Sequence, residues 1–247
     1  MKCHQRKIRE EVTLFDPRPI PKSLHGFEII QITKEQAEPI ILKYEWLGTI
    51  NRFPVAYYGL FSPFGEIHGV ACFGRGNGTN AGKITTSEIS RPIALERGAC
   101  VHYSHPHAPS FLVSGACRAM YRDHGYNTFY AYSDPDAGEV GTIYQACNWF
   151  YLGQSPGRTT NYRWGYRHKE TGVVESSRNM RSKRAMMKIK TLDLFDQDQW
   201  EKVKQMDKHK YVWFEGSKRI KKKLKAGLRY TAMEYQKRGE DNASTTT

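Results

Sequence analysis

No run in this chain approaches the roughly 18 consecutive apolar residues that a membrane-spanning helix needs. The opening residues Met1-Lys2-Cys3-His4-Gln5-Arg6-Lys7 lead into no apolar segment of the secretory kind. The expectation is therefore a cytoplasmic protein with no membrane partner. Cysteine is scarce and odd in number: Cys3, Cys72, Cys100, Cys117 and Cys147. They lie in apolar or helical contexts, which excludes a disulfide framework and predicts buried thiols. Acidic residues are also short, 25 against 38 Lys and Arg in 247 residues, for a formal net charge of +13. That balance favours polyanionic partners through counterion release, double-stranded DNA among them, and would attract a membrane surface too. There is no internal repeat, and the length allows one large α/β domain with an extension.

Pro17, Pro19 and Pro21 among charges make residues 1–26 read as an extended arm. Phe27 to Ile32 reads as a strand, and Thr33-Lys34-Glu35-Gln36 as a capping box opening a helix that Pro39 should kink. Val55 to Phe61 and Glu66 to Phe73, joined by Ser62-Pro63-Phe64-Gly65, form a hairpin pattern that Gly74-Arg75-Gly76-Asn77-Gly78 ends as a flexible loop. Glu88 to Cys100 is extended, and the His- and Pro-rich stretch His102 to Pro109 reads as a functional loop. Ser110 is placed to cap a helix stopped at His124-Gly125, and Thr128 to Ser133 is the next strand. Asp136-Ala137-Gly138-Glu139 reads as a second capping box, and a strand follows at Phe150 to Leu152. From Arg158 the composition turns to Arg, Lys and Tyr, with Asp196 placed to cap a helix running to Met206 and a strand near Lys210 to Phe214. The resulting boundaries are an arm (1–26), a catalytic core (27–170), a basic nucleic-acid-binding extension (171–239) and a disordered tail (240–247).

Two motif sets carry a resemblance. Ile143-Tyr144-Gln145-Ala146-Cys147-Asn148-Trp149-Phe150-Tyr151-Leu152-Gly153 is similar to the stretch that closes GNAT-type N-acetyltransferase cores. Together with Glu45-Trp46-Leu47-Gly48-Thr49, Arg97-Gly98-Ala99 and Tyr132-Ser133-Asp134-Pro135, it resembles phage GNAT-like proteins related to the Mom family over roughly residues 27 to 170. Those proteins place a methylcarbamoyl group on adenine N6 of phage DNA. The resemblance implies an α/β fold with a GNAT-like mixed sheet flanked by helices, carrying a basic C-terminal extension. It also implies an acyl-CoA donor, acetyl-CoA in the first instance. The final group joins nitrogen to a methylene carbon, so plain acyl transfer does not produce it.

On that resemblance Tyr144 is the acid that protonates the departing CoA thiolate, against the alternative of a core tyrosine bonded to backbone. Asp134, at a strand end before Pro135, is the first choice to accept from the base amine, with an Asx turn as its alternative, and Glu45 is the second choice. Arg97 is placed to clamp a phosphate or to sit in a surface ion pair. Ser110, Phe111 and Leu112 offer helix N-terminal amides to the cofactor, and Asn148 lies in the closing motif. The stretch before that helix lacks the glycines of a usual pyrophosphate loop and carries two prolines that cannot donate. His105 and His107 are candidate ligands for iron or zinc. Arg163, Trp164 and Arg167 are expected to hold an extruded base, and Lys218, Arg219, Lys221, Lys222, Lys223 and Lys225 the phosphate backbone. Two alternatives stay open: an acetyl-CoA-dependent N-acetyltransferase acting on a protein or small amine, and a non-enzymatic DNA-binding protein.

Overall fold

Thr33 fixes where the first core helix begins. Its hydroxyl accepts from the Gln36 amide and the Gln36 side chain accepts from the Thr33 amide. That is the expected capping box, at the start of α2 (Lys34–Tyr44). The computed structural model describes residues 4–50, 53–76, 82–154, 162–172, 174–176 and 199–236. The chain runs through α1 (His4–Phe15), β1 (Glu28–Ile32), α2, then the hairpin β2 (Pro54–Phe61) and β3 (Ile67–Gly74). It continues through β4 (Pro92–Cys100), α3 (Ala108–His124), β5 (Thr128–Ser133), α4 (Thr142–Ala146) and β6 (Phe150–Gln154). After β6 come β7 (Tyr162–His168), β8 (Val174–Ser176) and β9 (Trp200–Met206), then β10 (His209–Phe214) and α5 (Lys218–Ala226).

The chain divides into two compact units: residues 157–208, and the remainder. In the larger unit a seven-stranded sheet has the order β1-β2-β3-β4-β5-β10-β6. All its pairings are antiparallel except β4 with β5. One face packs on α3 and α4, burying Tyr58, Leu60, Phe73, Phe129 and Tyr211 with Leu112, Ala116 and Met120. The other face packs Tyr57, Val70 and Cys72 on Ala37, Ile41 and Tyr44 of α2. On that same face Ala94, Tyr130 and Val212 meet Leu224 of α5. This is the α/β sheet flanked by helices that the sequence predicts. The second unit is a three-stranded sheet, β8-β7-β9.

Several expectations are corrected. The arm is helical over His4–Phe15, and its end is tied down where the Arg9 guanidinium donates to the Ser104 carbonyl at 2.8 Å. The prolines follow the helix and do not prevent it. Residues 171–239 are not one extension, because β10 lies inside the main sheet between β5 and β6 and α5 covers its face. Its strand residues are buried on both faces, so lysine-rich flanks conceal a core strand. Trp200–Met206 is a strand, not the end of a helix, while Asp196 lies outside the described residues. Ser110 does not cap α3: the helix starts at Ala108, and the Ser110 hydroxyl donates to the His107 carbonyl at 3.1 Å. Asp136 and Glu139 form no box; Asp134 caps a 3-10 turn over Pro135–Ala137, and α4 starts only after Gly141. Gly125 stops α3 in the left-handed region as expected, with φ 70°. Cys72, Cys100, Cys117 and Cys147 are free thiols. The end of the glycine-rich loop, Cys3 and the tail lie outside the described residues. Among those residues no helix is long and apolar enough to cross a membrane.

Candidate active site

β4 changes its allegiance halfway along. Cys72 pairs with Arg97 and Phe73 with Leu95, so Glu96 is an extra residue, a β-bulge. At the same level the parallel pairing with β5, which runs from Pro92↔Thr128 to Leu95↔Ala131, stops although β4 continues to Cys100. The bulge also switches the faces of the strand: Leu95 packs toward α3, and Ala99 toward α2. The two strands part here, and groups from both faces of the sheet approach one another.

Glu45, at the C-terminus of α2, is buried, and its carboxylate accepts from the Leu47 amide at 2.9 Å. Arg97 Nε lies 3.8 Å from that carboxylate and donates to the Thr49 carbonyl at 3.0 Å, while Nη1 donates to the Glu96 carbonyl at 2.7 Å. Arg97 thereby holds Glu45 and the loop after α2. Tyr144 comes from α4 on the opposite face, its ring 5.1 Å from Trp149 and 5.2 Å from Tyr211. Burial, then the carboxylates of Glu139 and Glu45, push its hydroxyl pKa up, so it stays protonated at neutral pH. The structure therefore brings Tyr144, Glu45 and Arg97 to one place.

Asp134 belongs to a neighbouring cluster. It is buried and accepts from the Asp136 amide at 3.2 Å, which realises the Asx-turn alternative. Its charge also acts on His209, whose Nδ1 shares a 2.8 Å hydrogen bond with the Tyr151 hydroxyl. His209, Tyr151, Ser133 and Gln154 lie beside it, and sequence reasoning did not single them out. Only long-range pairing assembles them, and the Ser133-Asp134-Pro135 strand end was the one local signal.

At the start of α3, Pro109 has no amide to donate, the Ala108 amide donates to the His105 carbonyl at 2.8 Å and the Phe111 amide to the His107 carbonyl at 3.0 Å. Ser110 keeps the amide left over in the first turn among the described residues. Phe111 and Leu112 pack into the core, and Asn148 is exposed with φ 57° between α4 and β6. His105 and His107 do not make a metal centre as arranged. His105 Nδ1 accepts from the His107 amide at 3.1 Å, and no group of three His, Cys, Asp or Glu that could hold a metal occurs among the described residues.

The basic residues divide by setting. Ser217 caps α5, Leu224 is buried, and Lys218, Arg219, Lys222, Lys223 and Lys225 are exposed. Lys221 is bound to Glu215 at 2.9 Å. In the smaller unit Trp164 is 39 % exposed with Lys202 4.3 Å over its ring, and Lys204 lies 4.6 Å over Tyr162. Arg167 pairs with Glu201 at 2.8 Å. Neighbours in a strand alternate faces, so Arg163 and Trp164 cannot grip one base together, which corrects their expected partnership.

The Mom protein family model matches residues 26–237. The chain belongs to the Mom family. The matched span takes in both compact units, so in this Mom-family chain β7–β9 is part of the family's own extent. A search of the curated proteins finds no match. Among solved structures, similarity is found to spermidine N-acetyltransferase from Vibrio cholerae in complex with CoA and spermine, at TM-score 0.42 and 6 % identity over 76 % of this chain and 95 % of that one. It is found also to a Bacillus subtilis acetyltransferase in complex with CoA, at 0.40 and 10 % over 77 % and 98 %. An acetyltransferase from Bacillus cereus described as acting on IAA gives 0.39 and 12 % over 76 % and 99 %.

Proposed function

We propose that this protein is a transferase that uses a CoA thioester to modify an exocyclic amine of a DNA base, adenine N6 in the first instance. The observation that carries the reading is the parting of β4 from β5 at Glu96, with a protonated Tyr144 and the Arg97-held Glu45 gathered there, in a chain of the Mom family. When bound, the thioester would supply an activated carbonyl and a thiolate leaving group, chemistry that gives an N-acyl base and not the methylcarbamoyl group of the resembling proteins. The edge of β4 that β5 leaves beyond Leu95 and the Ser110 amide are the groups that would hold it. Tyr144 holds a proton for the departing sulfur, which its raised pKa favours over service as a base. Asp134 is the acceptor for the amine, a poor nucleophile that needs one, and Glu45 shapes the field around Tyr144. The exposed basic face of α5 and the lysine-flanked aromatics of β7 and β9 supply phosphate and strand contacts, and the base is presented by extrusion from the duplex.

The test incubates the purified chain with acetyl-CoA and follows free thiol release with and without duplex DNA. The reading expects release that depends on DNA. Turnover on polyamines or peptides without DNA would mark an N-acetyltransferase of the ordinary kind. DNA binding that neither Tyr144→Phe nor Asp134→Asn affects, with no thiol release, would mark a binding protein.

A further inference from the structure

The ends of β5, β10 and β6 carry a row that neither the family nor the reaction explains. Ser133 pairs with His209, and His209 with Gln154. Directly opposed residues of antiparallel strands share a face, with Cβ atoms about 5 Å apart. The three side chains therefore stand side by side on the α3 face of the sheet. The row behind them is Ala131, Tyr211 and Tyr151, a small residue beside two rings whose centroids are 5.1 Å apart. Gly153 makes the alignment possible. Its φ of 84° belongs to the irregularity through which Tyr151 and Gln154, three positions apart, oppose residues two apart on β10.

Buried polar groups in folded proteins are nearly all hydrogen-bonded. Here Ser133 Oγ and Gln154 Nε2 are buried with no hydrogen-bond partner among the described residues. Ser133 is 2 % exposed and His209 1 %. His209 spends Nδ1 on Tyr151, and Nε2 makes no hydrogen bond among the described residues. Three adjacent side chains thus hold uncommitted hydrogen-bonding capacity on one side of a wall of rings.

The chemistry of a fitting ligand follows from what the row contains. Burial holds the His209 pKa down to about 4, against the pull of Asp134, so the imidazole is neutral at pH 7. With no cation in the row and a carboxylate beside it, a phosphate or carboxylate finds no attraction there. A carboxamide whose buried donor has no partner, and which carries an acceptor beside it, matches a planar edge that presents an amino group beside a ring nitrogen, and adenine has that edge. We propose that Ser133, His209 and Gln154 form the edge that reads the target base, with the Gln154 carboxamide pairing to the amino group and adjacent ring nitrogen of adenine. The assignment rests on the DNA-modification reading above and adds to it the residues that select the base. The Asp134 carboxylate, whose charge acts on His209, lies close enough to the row to serve the same amine.

The test is equilibrium binding of the full chain, without catalysis. Two short single strands, identical except for one deoxyadenosine or one deoxyinosine, are compared by fluorescence anisotropy; inosine exchanges the amino group for a carbonyl. The native chain is expected to prefer the adenine strand by roughly tenfold or more. Gln154→Leu should erase that preference. Because Nε2 has no partner to lose, the variant should melt at or above the native temperature. Ser133→Ala should reduce the preference with the same thermal behaviour. Equal binding of both strands by the native chain overturns the assignment, as does preference retained in Gln154→Leu. A clearly lowered melting temperature in Gln154→Leu overturns it too, by giving the amide a structural role. Nucleoside analysis of modified DNA reports on the reaction separately. A chain that discriminates adenine from inosine and modifies nothing keeps the reading edge and loses the enzyme.

Discussion

Two buried histidines in this molecule are settled in opposite ways. His102 is 2 % exposed, and both nitrogens are used: Nε2 donates to the Asp16 carbonyl at 2.8 Å, and Nδ1 shares a 2.8 Å hydrogen bond with the Tyr44 hydroxyl. Around it Arg18 lies 3.7 Å over the Tyr103 ring, so a satisfied network fastens the N-terminal arm to the sheet. His209 is as deeply buried, yet it is bonded on one side only and flanked by two unpartnered groups. A complete buried network specifies structure, while an incomplete one is a standing cost that folding alone does not repay. By this criterion His102 belongs to the scaffold and His209 to the proposed site.

Substitutions sharpen that contrast. The largest expected effect is on the reaction: Tyr144→Phe should lower DNA modification by about 100-fold or more, read by nucleoside quantification. Its unfolding free energy should stay within about 0.5 kcal/mol of the native chain, since no hydrogen bond to the hydroxyl is made among the described residues. His102→Ala should do the reverse. Leaving Tyr44 and the Asp16 carbonyl without their partner should cost about 3 kcal/mol in urea unfolding, while the folded fraction keeps its adenine preference. Equal behaviour of the two variants would break the division between scaffold and site.

The pH dependence of stability sharpens it further. His209 has its pKa lowered by burial to about 4, so between pH 7 and pH 4 the unfolded chain takes up a proton that the folded chain refuses. Protonation therefore favours unfolding, and stability is lost as pH falls through that window, by an amount on the order of 3 kcal/mol. His209→Gln should remove that part of the acid sensitivity. Parallel profiles for the native chain and the variant would deny the imidazole its buried, neutral state.

The same distinction applies among the lysines, with the smallest effects. Lys222→Glu with Lys223→Glu should flatten the log-log salt dependence of duplex binding by about 0.9 for each phosphate that is no longer neutralised. Lys221→Ala, whose ammonium already serves Glu215, should change the slope far less. A common slope change would mean that partnered and exposed cations serve DNA alike.

The sequence made local features legible. The Thr33 capping box, the β2–β3 hairpin, the limits of β5 and the glycine stop of α3 are all written within a few residues of where they act. The closing motif likewise led to Tyr144, and the strand end to Asp134. What stayed hidden depends on distant partners. β10 reads as part of a basic tail because residues 157–208 separate it from β6, its neighbour in the sheet. The row Ser133, His209, Gln154 exists only once three strands are in register, and a one-residue slip of register would dissolve it. Prolines after Phe15 drew attention from a helix that ends before them. The paired reading of Arg163 and Trp164 failed because adjacency in sequence is opposition in a strand.

The proposed reaction is tested most directly by mass spectrometry of nucleosides from DNA of cells producing this chain, with Tyr144→Phe as control. A modified deoxyadenosine is predicted in the native sample, with a mass shift carried by the base, strongly reduced in the variant. Unmodified deoxyadenosine in both samples, from cells that contain folded protein and CoA thioester, would contradict it.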